Sequence, residues 1–111
     1  RHHFSNNPGA SILAGPFSQW PETLGFGALA DAELTETFGD IARQEYSAVG
    51  LRVALHPQID LATEPRWGRQ NGTFGENAEL TAKLGAAYIR GFQGVSSAFN
   101  SCVIVLQSMN K

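Results

Sequence analysis

One cysteine, Cys102, stands in 111 residues, so the sequence offers no internal disulfide and no multi-cysteine metal cluster. Charge of one sign is equally scarce. Eight Lys plus Arg against ten Asp plus Glu give a formal net charge of -2, with neither a basic field for a phosphate backbone nor an acidic tail. The longest strongly apolar run, residues 102–106, falls far short of the roughly 20 residues that span a bilayer. Neither nucleic acid nor membrane is therefore an expected partner. Residues 1–20 are too rich in polar, Gly and Pro positions for an apolar signal segment, and the first residue is Arg1. The natural start is expected upstream, and the compartment is not legible. No repeat of fixed period and no low-complexity tract is present, which excludes a solenoid. What is present is a globular composition, 42% hydrophobic and 16% charged, that should bury a core.

Residues 1–30 carry Pro8, Gly9, Gly15, Pro16, Pro21, Gly25 and Gly27, and that density of punctuators predicts extended loop with short pieces. From Asp31 the pattern changes. Leu34, Phe38, Ile41, Ala42, Tyr46 and Val49 recur at spacings of three and four, which predicts a helix capped by Asp31 and stopped at Gly50. Residues 51–56 read as a short buried strand ending at Pro57, with Arg52 making the burial imperfect. A long irregular segment, 58–76, precedes a second helix over about 77–93, whose apolar face is Leu80, Leu84, Ala87, Tyr88 and Phe92, with Gly94 after its end. A second strand is expected within 103–106. The order is that of an α/β protein, in which the loop after a strand's C-terminal end is where sites are built. A complete barrel of eight strand-helix units takes roughly 250 residues, so this chain is at most part of one.

Most motifs yield to plain readings. Residues 25–30 fit the glycine spacing of a dinucleotide fingerprint, but Trp20, Pro21 and Glu22 precede them rather than an apolar strand, so a glycine-rich connection packed against the fold is the better reading. No cofactor is expected. His2 and His3 are adjacent and diverge, and His56 is distant in sequence, so no metal site is assigned. Cys102 is read as a structural thiol. Asn71-Gly72-Thr73 is a formal glycosylation sequon and also a good tight turn, the reading preferred, with Gly72 supplying positive φ. The segment that stands out runs from Asp60 through Glu64, Arg66, Trp67 and Arg69 to Glu76. Two forked donors beside an aromatic face are a usual means of holding a sugar ring and its hydroxyls. On chemistry alone the plainer possibility is stronger: Asp60, Glu64 and Glu76 pair with Arg66 and Arg69 to stiffen a long loop.

At these residues the chain resembles the family 3 glycoside hydrolases, exo-acting enzymes of the β-glucosidase and β-N-acetylglucosaminidase type. The likeness rests on several motifs in order. They are Phe17-Ser18-Gln19-Trp20-Pro21-Glu22-Thr23-Leu24-Gly25, the helical run from Asp31 to Gly50, the Asp-Leu-x-x-x-Pro-Arg-Trp-Gly-Arg signature at 60–69, Thr73-Phe74-Gly75-Glu76, and the helix end over 85–94. The resemblance covers residues 1–94. It implies a segment of the family's N-terminal (β/α)8 barrel domain, about two to three strand-helix units, from an enzyme that hydrolyses terminal non-reducing β-linked glycosyl residues by a retaining mechanism. It further implies that Arg69 binds hydroxyls of the first-subsite sugar, with Asp60, Arg66, Trp67 and Glu76 as loop scaffold. Many members carry Glu three positions after the second arginine, where this chain has Gly72.

The C-terminal side departs from the pattern. The family continues toward a Lys-His pair and an Asp nucleophile, whereas residues 95–111 hold no acidic residue and no histidine, and the last carboxylate side chain is Glu79. That tail reads as divergent sequence, and no catalytic residue is assigned within the chain. The expected substrate is an oligosaccharide or β-glucoside, the nucleophile and the rest of the catalytic domain are expected elsewhere, and the isolated chain is expected to be inactive. The alternative is a non-catalytic carbohydrate-binding or interaction module derived from the barrel.

Overall fold

The computed structural model describes residues 17–94 and the backbone of residues 103–104. The readings made for His2, His3, Cys102 and the rest of the tail lie outside the described residues.

Helix α1, Thr23–Leu29, occupies ground where the punctuators predicted loop with short pieces. Gly25 and Gly27 sit inside the helix at an intrinsic cost of about 1 kcal/mol each against alanine, which a tertiary contact outweighs. A Cβ on Gly27 would stand 2.0 Å from the Phe74 carbonyl oxygen, so the glycine admits the neighbouring backbone. The glycine-rich stretch is thus a packed element.

Helix α2, Ala32–Ala48, begins as its sequence predicts. The Asp31 carboxylate accepts the Leu34 amide at 3.0 Å, a cap worth about 1 kcal/mol, and the Thr35 hydroxyl donates to the Asp31 carbonyl at 2.6 Å. At the other end Gly50 takes φ 81°, and the Leu51 amide donates back to the Tyr46 carbonyl at 2.9 Å. Arg52 turns its Nη1 onto the Ser47 carbonyl at 3.3 Å instead of entering the core. Helix α3, Ala78–Gln93, is capped in the same manner by Asn77, whose Oδ1 accepts the Leu80 amide at 2.9 Å.

The two long helices pack at a glycine crossing. A Cβ on Gly91 would lie 2.0 Å from the Glu36 carbonyl oxygen, and one on Gly39 would lie 2.6 Å from that of Tyr88, so the backbones touch directly. Apolar spacing named Leu84, Ala87, Tyr88 and Phe92 correctly but could not show that Gly39 and Gly91 face each other. At the crossing's edge Arg90 pairs with Glu36 at 3.0 Å.

Aromatic rings fill the rest of the core. Trp20, Phe26 and Phe38 stack in series, with Phe26 and Phe38 at 4.7 Å, and Phe38 meets Tyr88 at 5.4 Å. Offset and edge contacts of this kind add about 0.5–1.5 kcal/mol beyond the area buried. The Ser18 amide donates to Glu45 Oε1 at 2.7 Å, and the Trp20 indole donates to the Ser18 hydroxyl at 2.9 Å, so the segment before α1 is tied to α2.

Strand β1, Val53–Ala54, pairs in parallel with β2, Val103–Ile104, Val53 opposite Val103 and Ala54 opposite Ile104. Together β1, α3 and β2 form one β-α-β unit, the connection that parallel strands require. The second strand falls where the sequence predicted it. The buried first strand needs correction, because Ala54 packs beneath the helices whereas Val53 is 62% and Leu55 60% exposed. Alternation explains this: the Ala54 face of the strand joins the buried core, and the described residues place nothing over the other. Among the described residues no helix is long and apolar enough to cross a membrane.

Candidate functional site

The strand hands its chain to the loop through a half-buried anchor. His56 sits among Tyr46, Tyr88 and Phe92, with ring centroids 5.2–5.8 Å away, and its Nδ1 lies 2.6 Å from the Tyr88 hydroxyl. Pro57 and Gln58 follow as buried residues, so the loop leaves β1 from a fixed point.

Side chains of the loop then stitch it shut. The Gln70 amide donates to the carbonyls of Glu64, at 2.9 Å, and Pro65. Residues Gln70–Gly72 make one 3-10 turn, and the Thr73 hydroxyl donates to the Gln70 carbonyl at 2.8 Å while accepting the Gly75 amide at 3.1 Å. The Ala62 amide donates to the Gly75 carbonyl at 3.0 Å, joining the two limbs. Thr73 and Phe74 are buried, which roots the returning limb against α1. The preferred turn reading of 71–73 holds, but with a different reason for its glycine. Gly72 is absent from the residues at positive φ, and what it supplies is space for a neighbour.

The two arginines have different partners. Arg66 is gripped by Glu64 in a forked pair, Nε to Oε1 at 2.9 Å and Nη2 to Oε2 at 3.0 Å, with the Arg66 amide also donating to Oε1 at 2.9 Å. That hydrogen-bonded carboxylate raises the guanidinium's pKa further above its ordinary value, against a slight loss of hydration. Arg69 instead donates from Nη2 to the Gln58 side-chain oxygen at 3.0 Å. Asp60 and Trp67 are half-buried within the loop, Arg69 is exposed, and Glu76 is exposed just before the Asn77 cap. The loop-stiffening pairing expected from the sequence is seen between Glu64 and Arg66. The structure also brings to the site a residue that the sequence reading passed over. Gln58 lies between Pro57 and Ile59 with no motif to mark it, and only its 6% exposure beside Arg69 shows its place.

A rigid loop that offers a forked cation at its surface can donate hydrogen bonds to hydroxyls on adjacent carbons of a ring. Such a loop, at the C-terminal end of a parallel strand, stands where α/β barrels build their sites. The profile of the glycosyl hydrolase family 3 N terminal domain matches residues 8–107. Over 94 residues the chain is 58% identical to "Beta-glucosidase C" of Emericella nidulans, covering 85% of this chain and 15% of that protein. It is 50% identical over 105 residues to the "Periplasmic beta-glucosidase/beta-xylosidase" of Dickeya chrysanthemi, covering 95% of this chain and 16% of that one. Among solved structures, a mutant β-glucosidase from Listeria innocua in complex with laminaribiose superposes with a TM-score of 0.76 at 29% identity, over 81% of this chain and 13% of that chain. The chain thus spans about one sixth or less of the length of these relatives, and the β-α-β unit among its described residues is an incomplete piece of a (β/α)8 barrel. It belongs to glycosyl hydrolase family 3, as part of that family's N-terminal domain.

Proposed function

We propose that this chain is the Arg69-bearing segment of a β-glucosidase-like hydrolase that removes terminal non-reducing β-linked glycosyl residues with retention of configuration. The observation that carries the reading is the loop after β1, which presents Arg69 exposed and held by the buried Gln58 amide, and fixes Arg66 on Glu64. Arg69 donates to hydroxyls of the sugar in the first subsite, and Arg66, Trp67, Asp60 and Glu76 maintain the loop around it. The relatives' names point to β-glucosides as substrate, and the laminaribiose bound to one neighbour is a β-linked glucose disaccharide.

Retention requires two carboxyls roughly 5–5.5 Å apart, one to attack the anomeric carbon and one to protonate the departing oxygen and later activate water. The family resemblance implies a nucleophile downstream of this segment, and no carboxylate side chain follows Glu79 in this chain, so on this reading the nucleophile comes from the rest of the barrel. The division of labour is testable. The complete protein should hydrolyse para-nitrophenyl β-glucoside, with proton NMR showing β-glucose as the first-formed anomer, and the 111-residue chain alone should give no turnover. First release of α-glucose would overturn the mechanism, and turnover by the short chain would overturn the assignment of the nucleophile.

A further inference from the structure

Gln58 grips Arg69 at both ends. Its side-chain oxygen accepts from Arg69 Nη2 at 3.0 Å, and its side-chain nitrogen donates to the Arg69 backbone carbonyl at 3.4 Å, so one amide touches the head and the root of the arginine. Gln58 itself is buried to 6% exposure, directly after the strand's anchor at His56 and Pro57. Burial restricts its rotamers, which makes it a fixed point from which to aim an exposed side chain. The space it occupies lies over Gly72: a Cβ there would approach the Gln58 oxygen to 2.9 Å and its Cδ to 3.5 Å. A larger residue at 72 therefore requires the Gln58 amide to shift from this position.

From this juxtaposition we infer that Gln58 is the positioning residue of Arg69, and that Gly72 is small so that Gln58 can reach it. The inference rests on Arg69 being the sugar ligand. An arginine loses rotamer freedom when it is fixed on a ligand, and a side chain already held in place loses less on binding. The amide also adds no opposing charge, in contrast to the Glu64 carboxylate on Arg66. Gln58 thus aims the guanidinium without weakening its pull on electron-rich hydroxyls.

The test is steady-state hydrolysis of para-nitrophenyl β-glucoside by the complete hydrolase, with Gln58→Ala, Gly72→Ala, Arg69→Ala and the double variants of the first two with the third. Gln58→Ala should lower kcat/KM about tenfold, the scale of one lost hydrogen bond to a charged group. Gly72→Ala should lower it severalfold by pushing the amide aside, with little change in Tm. Both losses should vanish when Arg69 is already alanine, because a positioning residue has nothing left to position. Losses that persist undiminished in the Arg69→Ala background would assign Gln58 a structural role and overturn the inference. Arg69→Ala damaging with both other variants neutral would overturn it alone, whereas a neutral Arg69→Ala would overturn the sugar-site reading together with it. If Gln58→Ala fails to fold, Gly72→Ala carries the same decision.

Discussion

Replacing Arg69 with alanine should lower kcat/KM of the complete hydrolase for an aryl β-glucoside about a hundredfold, with Tm moving by no more than about 2 °C. The magnitude follows from chemistry. Charge-assisted hydrogen bonds contribute roughly 1.5–3 kcal/mol each, and a hundredfold loss corresponds to about 2.7 kcal/mol of transition-state stabilisation. The small effect on stability follows from position, because Arg69 is exposed and the loop is held by Gln70, Thr73 and the Glu64 to Arg66 pair. Arg69→Lys should recover only part of the loss, since a point ammonium replaces charge but not the planar fork. Kinetics and thermal melts on the same preparations decide the matter. Equal losses in activity and Tm would make Arg69 a structural residue.

The second large effect is on stability. Gly91→Val should destabilise the protein by about 3 kcal/mol or more, read as a shift in the urea midpoint. In an isolated helix, removing a glycine helps by about 1 kcal/mol or less, so the expected sign reverses the intrinsic preference. Contact decides it. Even the first carbon would stand 2.0 Å from the Glu36 carbonyl and 2.9 Å from the Asp40 amide, both backbone atoms that cannot swing away. The helices must part by more than an ångström, which loosens the packing of Phe38, Tyr88 and Phe92 that closes the core. An unchanged or raised midpoint would contradict the glycine crossing.

Local chemistry made the helices legible. Asp31 and Asn77 announce their caps, Gly50 and Gly94 their ends, and the three-and-four spacing of Leu84, Ala87, Tyr88 and Phe92 their buried face. What the sequence concealed depends on contacts between distant residues. Gly39 with Gly91 and Gly27 with Phe74 are close approaches that no local pattern marks. Helix α1 is obscured because Gly27 serves such an approach rather than a turn. The exposed face of β1 is not legible in the sequence, because an apolar run reads as buried whether or not the chain supplies its cover. At the site, the Asp60 to Arg69 signature drew attention to Arg69, but the residue that holds it, Gln58, is eleven positions away and belongs to no motif.

Whether this chain acts as one part of a complete family 3 hydrolase is decided by the intact mass of the native product from its source cells, captured with an antibody against the loop from Asp60 to Glu76. The chain weighs 12.0 kDa and spans about 15% of the length of its Emericella nidulans relative. A single species several times heavier than 12.0 kDa is the expected result, and it would be the protein in which Arg69 and Gln58 are then varied. A native product near 12.0 kDa would contradict the claim, because that polypeptide would lack the nucleophile that its sugar site is proposed to serve.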